Sequence, residues 1–165
     1  MAARTLVRAR RRDSRGSNAV EFALVVPLLL ALLFGIVTAG FAFSQRISLN
    51  ESVREGARYG ATSLESTTWA TTVEQRTRQL ATGDLTLGQV CVQLLKGPTQ
   101  SVVRSTPCTV PAPATPSQIT AGMAATDCLV KVWAEREAPL VAAPLWAGSI
   151  TLKPVAFQRY ERTCP

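Results

Sequence analysis

Hydrophobic and polar positions divide the chain into three stretches. The first is a single apolar run from Ala19 to Phe43, AVEFALVVPLLLALLFGIVTAGFAF, in which Glu21 is the only ionisable residue. About 20 apolar residues suffice to cross a bilayer core as a helix, so the run spans even with Glu21 left at the interface. Pro27 falls inside it, lacks a backbone donor and frees the carbonyl of Ala23, so a kink is expected there. The second stretch, SQRISLNESVREGARYGATSLE, is polar with a narrow stripe of Ile47, Val53, Ala57 and Ala61 at steps suited to a helix face. Glu51 with Arg54, and Glu55 with Arg58, stand three apart with opposite charge. The two stretches together predict one helix from Ser17 to about Ala61, near Gly60, roughly 65–70 Å long. Its second half must then lie outside the membrane.

The third stretch reads as a small α+β unit. A short helix is expected over Thr68–Ala81, with Trp69, Val73 and Leu80 on one side and Gly83 as its stop. Alternation predicts strands at Gln89–Leu95, Cys128–Glu135 and Ser149–Glu161, the last interrupted by Pro154. In Cys128–Glu135, Leu129, Lys131, Trp133 and Glu135 share one face, and Cys128, Val130, Val132 and Ala134 the other. The segment Gly97–Thr126 carries Pro98, Pro107, Pro111, Pro113 and Pro116 and reads as a loop. EAPLVAAPLWAG, broken by Pro139 and Pro144, reads as an apolar connection. The expected architecture is α+β: a long N-terminal transmembrane helix and an outer domain in which a short helix and an antiparallel sheet pack together.

Charge changes the picture only at one end. The formal net charge is +7, but Arg4, Arg8, Arg10, Arg11, Arg12 and Arg15 crowd the first 16 residues against Asp13 alone. Without that leader, 12 basic and 10 acidic residues leave a net charge of +2. A basic block before an apolar run orients a membrane segment with its N-terminus in the cytoplasm and the following domain outside. With no basic patch left in the body, nucleic acid is not an expected partner. Residues 1–16 thus read as a basic cytoplasmic leader, 17–62 as the helix and its extension, and 63–165 as an extracytoplasmic domain with the Pro-rich loop 97–126.

The chemistry is sparse. With no histidine, the commonest general base is missing. Glu135 and Glu137 would share a strand face, but with Arg136 between them they read as exposed charges. No phosphate-binding glycine loop and no cofactor motif occurs, so neither an enzyme nor a small-molecule substrate is expected. Cys91, Cys108, Cys128 and Cys164 all follow the apolar run, on the side an oxidising compartment would occupy. They lack the short spacing of a zinc site. Four cysteines allow three pairings. Proximity favours Cys91 with Cys108, leaving Cys128 with Cys164, and the other two pairings stay open.

Arg15-Gly16-Ser17-Asn18-Ala19-Val20-Glu21-Phe22 resembles the cleavage region of type IV prepilins and pseudopilins, a glycine followed after four residues by Glu-Phe. The resemblance implies that a membrane prepilin peptidase cuts between Gly16 and Ser17. It also implies that Glu21 pairs with the new α-amino group of a neighbouring subunit. An acid at the edge of a bilayer is costly and is retained for a reason. The whole stretch from Arg15 to Thr62 is similar to the N-terminal signature of TadE-like proteins, with Val53-Arg54-Glu55-Gly56-Ala57-Arg58-Tyr59 as its closing motif. The family implies a structural component of a tight-adherence pilus assembly system, with other pseudopilins and pilus-assembly proteins as partners. Two further readings stay open. One is an unprocessed single-pass protein with a disulfide-bonded binding domain. The other is a secreted module cut by signal peptidase near Gly40–Ala42.

Overall fold

The computed structural model describes residues 14–81, 85–86, 88–142 and 146–165. Most of the basic leader therefore lies outside the described residues, as does Gly83. The architecture is α+β: one long N-terminal helix, a short second helix and antiparallel sheet.

Helix α1 runs without a break from Ser14 to Thr62, 49 residues, about 73 Å at 1.5 Å per residue. It passes through Pro27, where the missing donor leaves the Ala23 carbonyl without its usual partner. It also continues two residues past Gly60. Its burial changes character along its length. From Val20 to Phe43 the large apolar side chains other than Val26 stand exposed, Phe22 at 70% and Leu24 at 74%. From Leu49 to Ala61, positions 49, 52, 53, 56, 57, 60 and 61 are buried in a stripe at helical spacing. Ile47, expected on that stripe, is exposed instead, and Leu49 occupies the core. The helix turns about 100° per residue, so a two-residue offset moves a side chain to nearly the opposite face.

Helix α2, Trp69–Leu80, lies across this stripe with Trp69, Ala70, Val73, Glu74 and Thr77 buried. Leu80, read as part of its inner face, is half exposed. The helix ends at Leu80, the Ala81 N–H bonding back to Thr77 O.

Two sheets replace the single one expected. The larger has the order β2-β1-β3-β6, built from β1 (Val90–Lys96), β2 (Ser101–Ser105), β3 (Cys128–Ala134) and β6 (Val155–Arg159). All its neighbours are antiparallel, with Val92 opposite Val132 and Lys131 opposite Phe157. The segment Gly97–Thr126 is therefore not all loop. It contains β2, reached by a turn in which Gly97 (φ 66) and Gln100 (φ 55) take left-handed conformations, and the one-turn helix α3, Ser117–Thr120. The second sheet pairs β4 (Arg136–Ala142) with β5 (Trp146–Leu152). The apolar connection is thus largely strand. Pro139 is tolerated in it because a two-stranded ribbon leaves one side of each strand without ladder bonds. Ser149–Glu161 is not one strand either. Lys153 and Pro154 break it into β5 and β6, which belong to different sheets.

The main sheet is buried on both faces. Val90, Val92, Leu94, Val130, Val132 and Ala134 join Leu49, Val53, Ala57, Ala61, Trp69 and Val73 in the helix-side core. On the opposite face, Leu129, Lys131 and Trp133 are also buried, beneath the Pro-rich segment. Cys91 is bonded to Cys108, and Lys131 Nζ donates to Pro113 O. The Thr106 N–H donates to Val92 O, and its hydroxyl accepts from the Val92 N–H. The second disulfide joins Cys128 to Cys164, tying the C-terminus to the helix-side core. Their Cα separations of 5.6 and 5.5 Å are ordinary for disulfides.

Candidate functional site

The residues singled out for processing and assembly gather at the start of α1. Gly16 and Ser17 fall in its first turn and Glu21 one turn further on. Ser17 and Glu21, four residues apart, fall on the same side of the helix. Glu21 and Phe22 are exposed, so no contact among the described residues satisfies the carboxylate or covers the ring. Sequence and helix geometry bring these positions together, while the cysteines lie far away in the outer domain.

At the other end of the apolar run, the hairpin of β4 and β5 leans on the helix. Pro139 shares a cavity with Phe34, Val37, Thr38, Phe41 and Gln45. This explains why Thr38 is buried although its neighbours along the run are exposed. Beyond it, Arg46 and Asn50 line a second cavity with Ile150, Thr151, Leu152, Lys153 and Pro154.

The motif Val53–Arg58 has two kinds of member. Its charges are surface pairs: Arg58 Nη2 sits 2.7 Å from Glu55 and Arg54 Nη1 3.4 Å from Glu51, each worth little in water. Its small residues do the packing. A Cβ built on Gly56 would run into Thr77 Oγ1, well inside van der Waals contact. One on Gly60 would sit 3.1 Å from both Trp69 Cζ2 and Val130 Cγ1. Glycine at both positions lets α2 and the sheet approach the α1 backbone.

Sequence reasoning missed how α1 ends. The last four carbonyls of a helix lack intrahelical donors, and α1 carries no basic residue in its last turn. Trp69 Nε1 donates to Gly60 O (3.0 Å), the Glu161 N–H to Ala61 O (3.1 Å) and Arg162 Nε to Thr62 O (2.6 Å), while the Tyr160 hydroxyl donates to Ser63 O (3.0 Å) just past the helix. Trp69 and Tyr160 meet edge to face at 6.4 Å. The Arg162 guanidinium also sits favourably at the negative end of the helix dipole. Three of these donors come from a segment about 100 positions away along the chain, which no local pattern marks.

Two charged groups of the outer domain have shifted pKa values. Burial lowers that of the Lys131 ammonium, which lies 5.3 Å from the Trp133 ring centroid and 6.0 Å from that of Phe157. The Asp127 carboxyl is held below its ordinary value by the Ala124 N–H and then by Arg159. Glu135 is paired with Lys153 at 3.2 Å rather than with Glu137. Among the described residues, no three cysteine or carboxylate side chains gather as a metal-binding group.

These features define a class: an α+β domain carried on one N-terminal helix long and apolar enough to cross a membrane, which fits a membrane-anchored protein. Residues 16–58 match the family model described as TadE-like protein, the family that the sequence resembles. The match covers the helix from Gly16 through the Gly56 contact and leaves out the sheets. TadE-like proteins are structural pilus components, so at family level the chain fits a pilus-related pseudopilin. No curated protein and no solved structure matches the chain.

Proposed function

We propose that the protein is a TadE-like pseudopilin or minor pilin, a non-enzymatic, membrane-anchored component of tight-adherence pilus assembly. On this reading prepilin peptidase removes residues 1–16. Ser17 becomes the N-terminus, α1 stays in the membrane with its leader side cytoplasmic, and the disulfide-bonded domain stands outside. The observation that carries the reading is the family match, which starts at Gly16 and includes Glu21 and the whole apolar run.

Glu21 supplies the assembly chemistry. An ionised carboxylate close to the hydrocarbon is costly unless paired. After cleavage the α-amino group of Ser17 is a cation of the right sign. In the same chain it lies only one helical turn away, so the amine of an adjacent subunit must compete with that local partner. A neighbour wins where packing of the two apolar helices adds to the ion pair. Glu21 then ties insertion into the assembly to an axial step between subunits.

The test is the intact mass of the protein extracted from membranes of cells with active prepilin peptidase. Loss of residues 1–16, abolished by Gly16→Ala, is the expected result. A full-length mass overturns the reading in favour of an unprocessed anchored domain, and a start beyond residue 42 points to a secreted module.

A further inference from the structure

We infer that the cavity between α1 and the end of β5 is a binding site for the phosphate of an anionic phospholipid headgroup. The inference rests on the membrane reading above. Two observations and one argument from depth converge on it. The cavity, of about 350 Å³, is lined by Arg46, Asn50, Thr151 and Lys153 together with Ile150, Leu152 and Pro154. It therefore holds two cations, an amide and a hydroxyl, and among the described residues no carboxylate lines it. Arg46 has no ion-pair partner among the described residues. Lys153 has one, Glu135 at 3.2 Å, on an exposed ammonium that a phosphate can recruit.

The third argument is depth, counted from the length of the apolar run. Counting about 20 residues from Phe22 sets the hydrocarbon boundary near Phe41, so the part of β4 at Pro139, packed beside Phe34 to Phe41, dips below that level. Arg46 then stands about 7–8 Å further along the helix axis, at the outer part of a headgroup layer about 5–8 Å deep. Its long side chain can reach back to the phosphates. The apolar part of the lining faces the same site, suiting a ligand whose one end is ionic and whose other is glyceride. A fork of guanidinium donors beside an ammonium is a strong phosphate-recognising combination.

The site would hold the outer domain at a fixed height and rotation on the membrane, because its cations come from two elements, α1 and the segment just after β5. A single helix fixes neither coordinate by itself.

The full-length protein is reconstituted into nanodiscs of equal parts phosphatidylglycerol and phosphatidylcholine. After release, retained lipid is counted by native mass spectrometry, with flotation on vesicles of each lipid measured in parallel. Phosphatidylglycerol should be retained in preference, and Arg46→Gln and Lys153→Gln should each cut that preference about fivefold. Glu135→Gln, which frees Lys153, should raise it. A chain that floats but shows no preference, or whose preference survives the double variant, overturns the proposal alone. A chain that fails to float with either vesicle overturns the membrane reading and the proposal together. Equal binding of inorganic phosphate by lipid-free protein in detergent would make the ligand a free anion and overturn the lipid assignment.

Discussion

From Val20 to Leu33, before the β4–β5 hairpin reaches it, α1 shows large apolar side chains around most of its circumference. Above Leu49 the same helix hides one stripe of mostly small ones. The backbone is continuous through both. The lipid half needs no shape, since acyl chains conform to whatever surface they meet, and a Cβ added at Gly35 or Gly40 would meet nothing within 4 Å among the described residues. The packed half needs shape everywhere, because α2 and the sheet are rigid and Gly56 and Gly60 sit at their points of closest approach. Two glycines in one helix can thus be interchangeable or indispensable according to what faces them.

Removing the packed half's support should separate the two halves most clearly. Replacing Cys128 and Cys164 by serine opens a closure of 36 residues and should cost about 4 kcal/mol. Thermal unfolding in detergent, followed by circular dichroism, should show an earlier loss of β and near-ultraviolet signal while the lipid half stays helical. Simultaneous loss of all helix would mean the halves are one cooperative unit. Gly56→Leu, which drives a side chain into Thr77, should destabilise the outer domain by about 3 kcal/mol, while Gly40→Leu leaves its midpoint unchanged. An equal shift from both would end the distinction.

Truncation in the core is a milder probe. Val53→Ala should cost about 2 kcal/mol and Leu30→Ala less than about 0.5 kcal/mol, read as midpoints of denaturant unfolding. The smallest effects are in the pH profile. Burial lowers the pKa of Lys131, so the unfolded chain binds more protons than the folded one between the lowered value and the ordinary 10.5. Stability should therefore rise with pH through that window, and Lys131→Met should flatten the rise. Asp127 works in the opposite range. Its contribution is present above 3.8 and lost as pH falls through its lowered folded value, so Asp127→Asn should flatten the acid limb of the same curve.

The long helix was legible because two local signals, an apolar run and a 3.6-residue stripe, meet without a breaker that tertiary contacts cannot override. Its fold class and the two faces of β3 were legible for the same reason. The segment Gly97–Thr126 misled because prolines conceal Ser101–Ser105, a five-residue strand whose alternation is too short to stand out. The split at Lys153 and Pro154 was hidden because both halves alternate, and only their partners differ. At the start of α1 the motif from Gly16 to Phe22 could be read directly, since its members lie within two helical turns. The donors from Tyr160 to Arg162 could not, since nothing near them in sequence says that a helix end waits for them.

Those last donors also set an order of events. Synthesis delivers α1 first, and the residues that cover its final carbonyls emerge about 100 residues later. Until then the helix has an open end in water, and Cys128 lacks its partner Cys164. The domain therefore closes like a latch whose bolt arrives well after its catch. A chain interrupted before those residues stays distinguishable from the closed one by that open end.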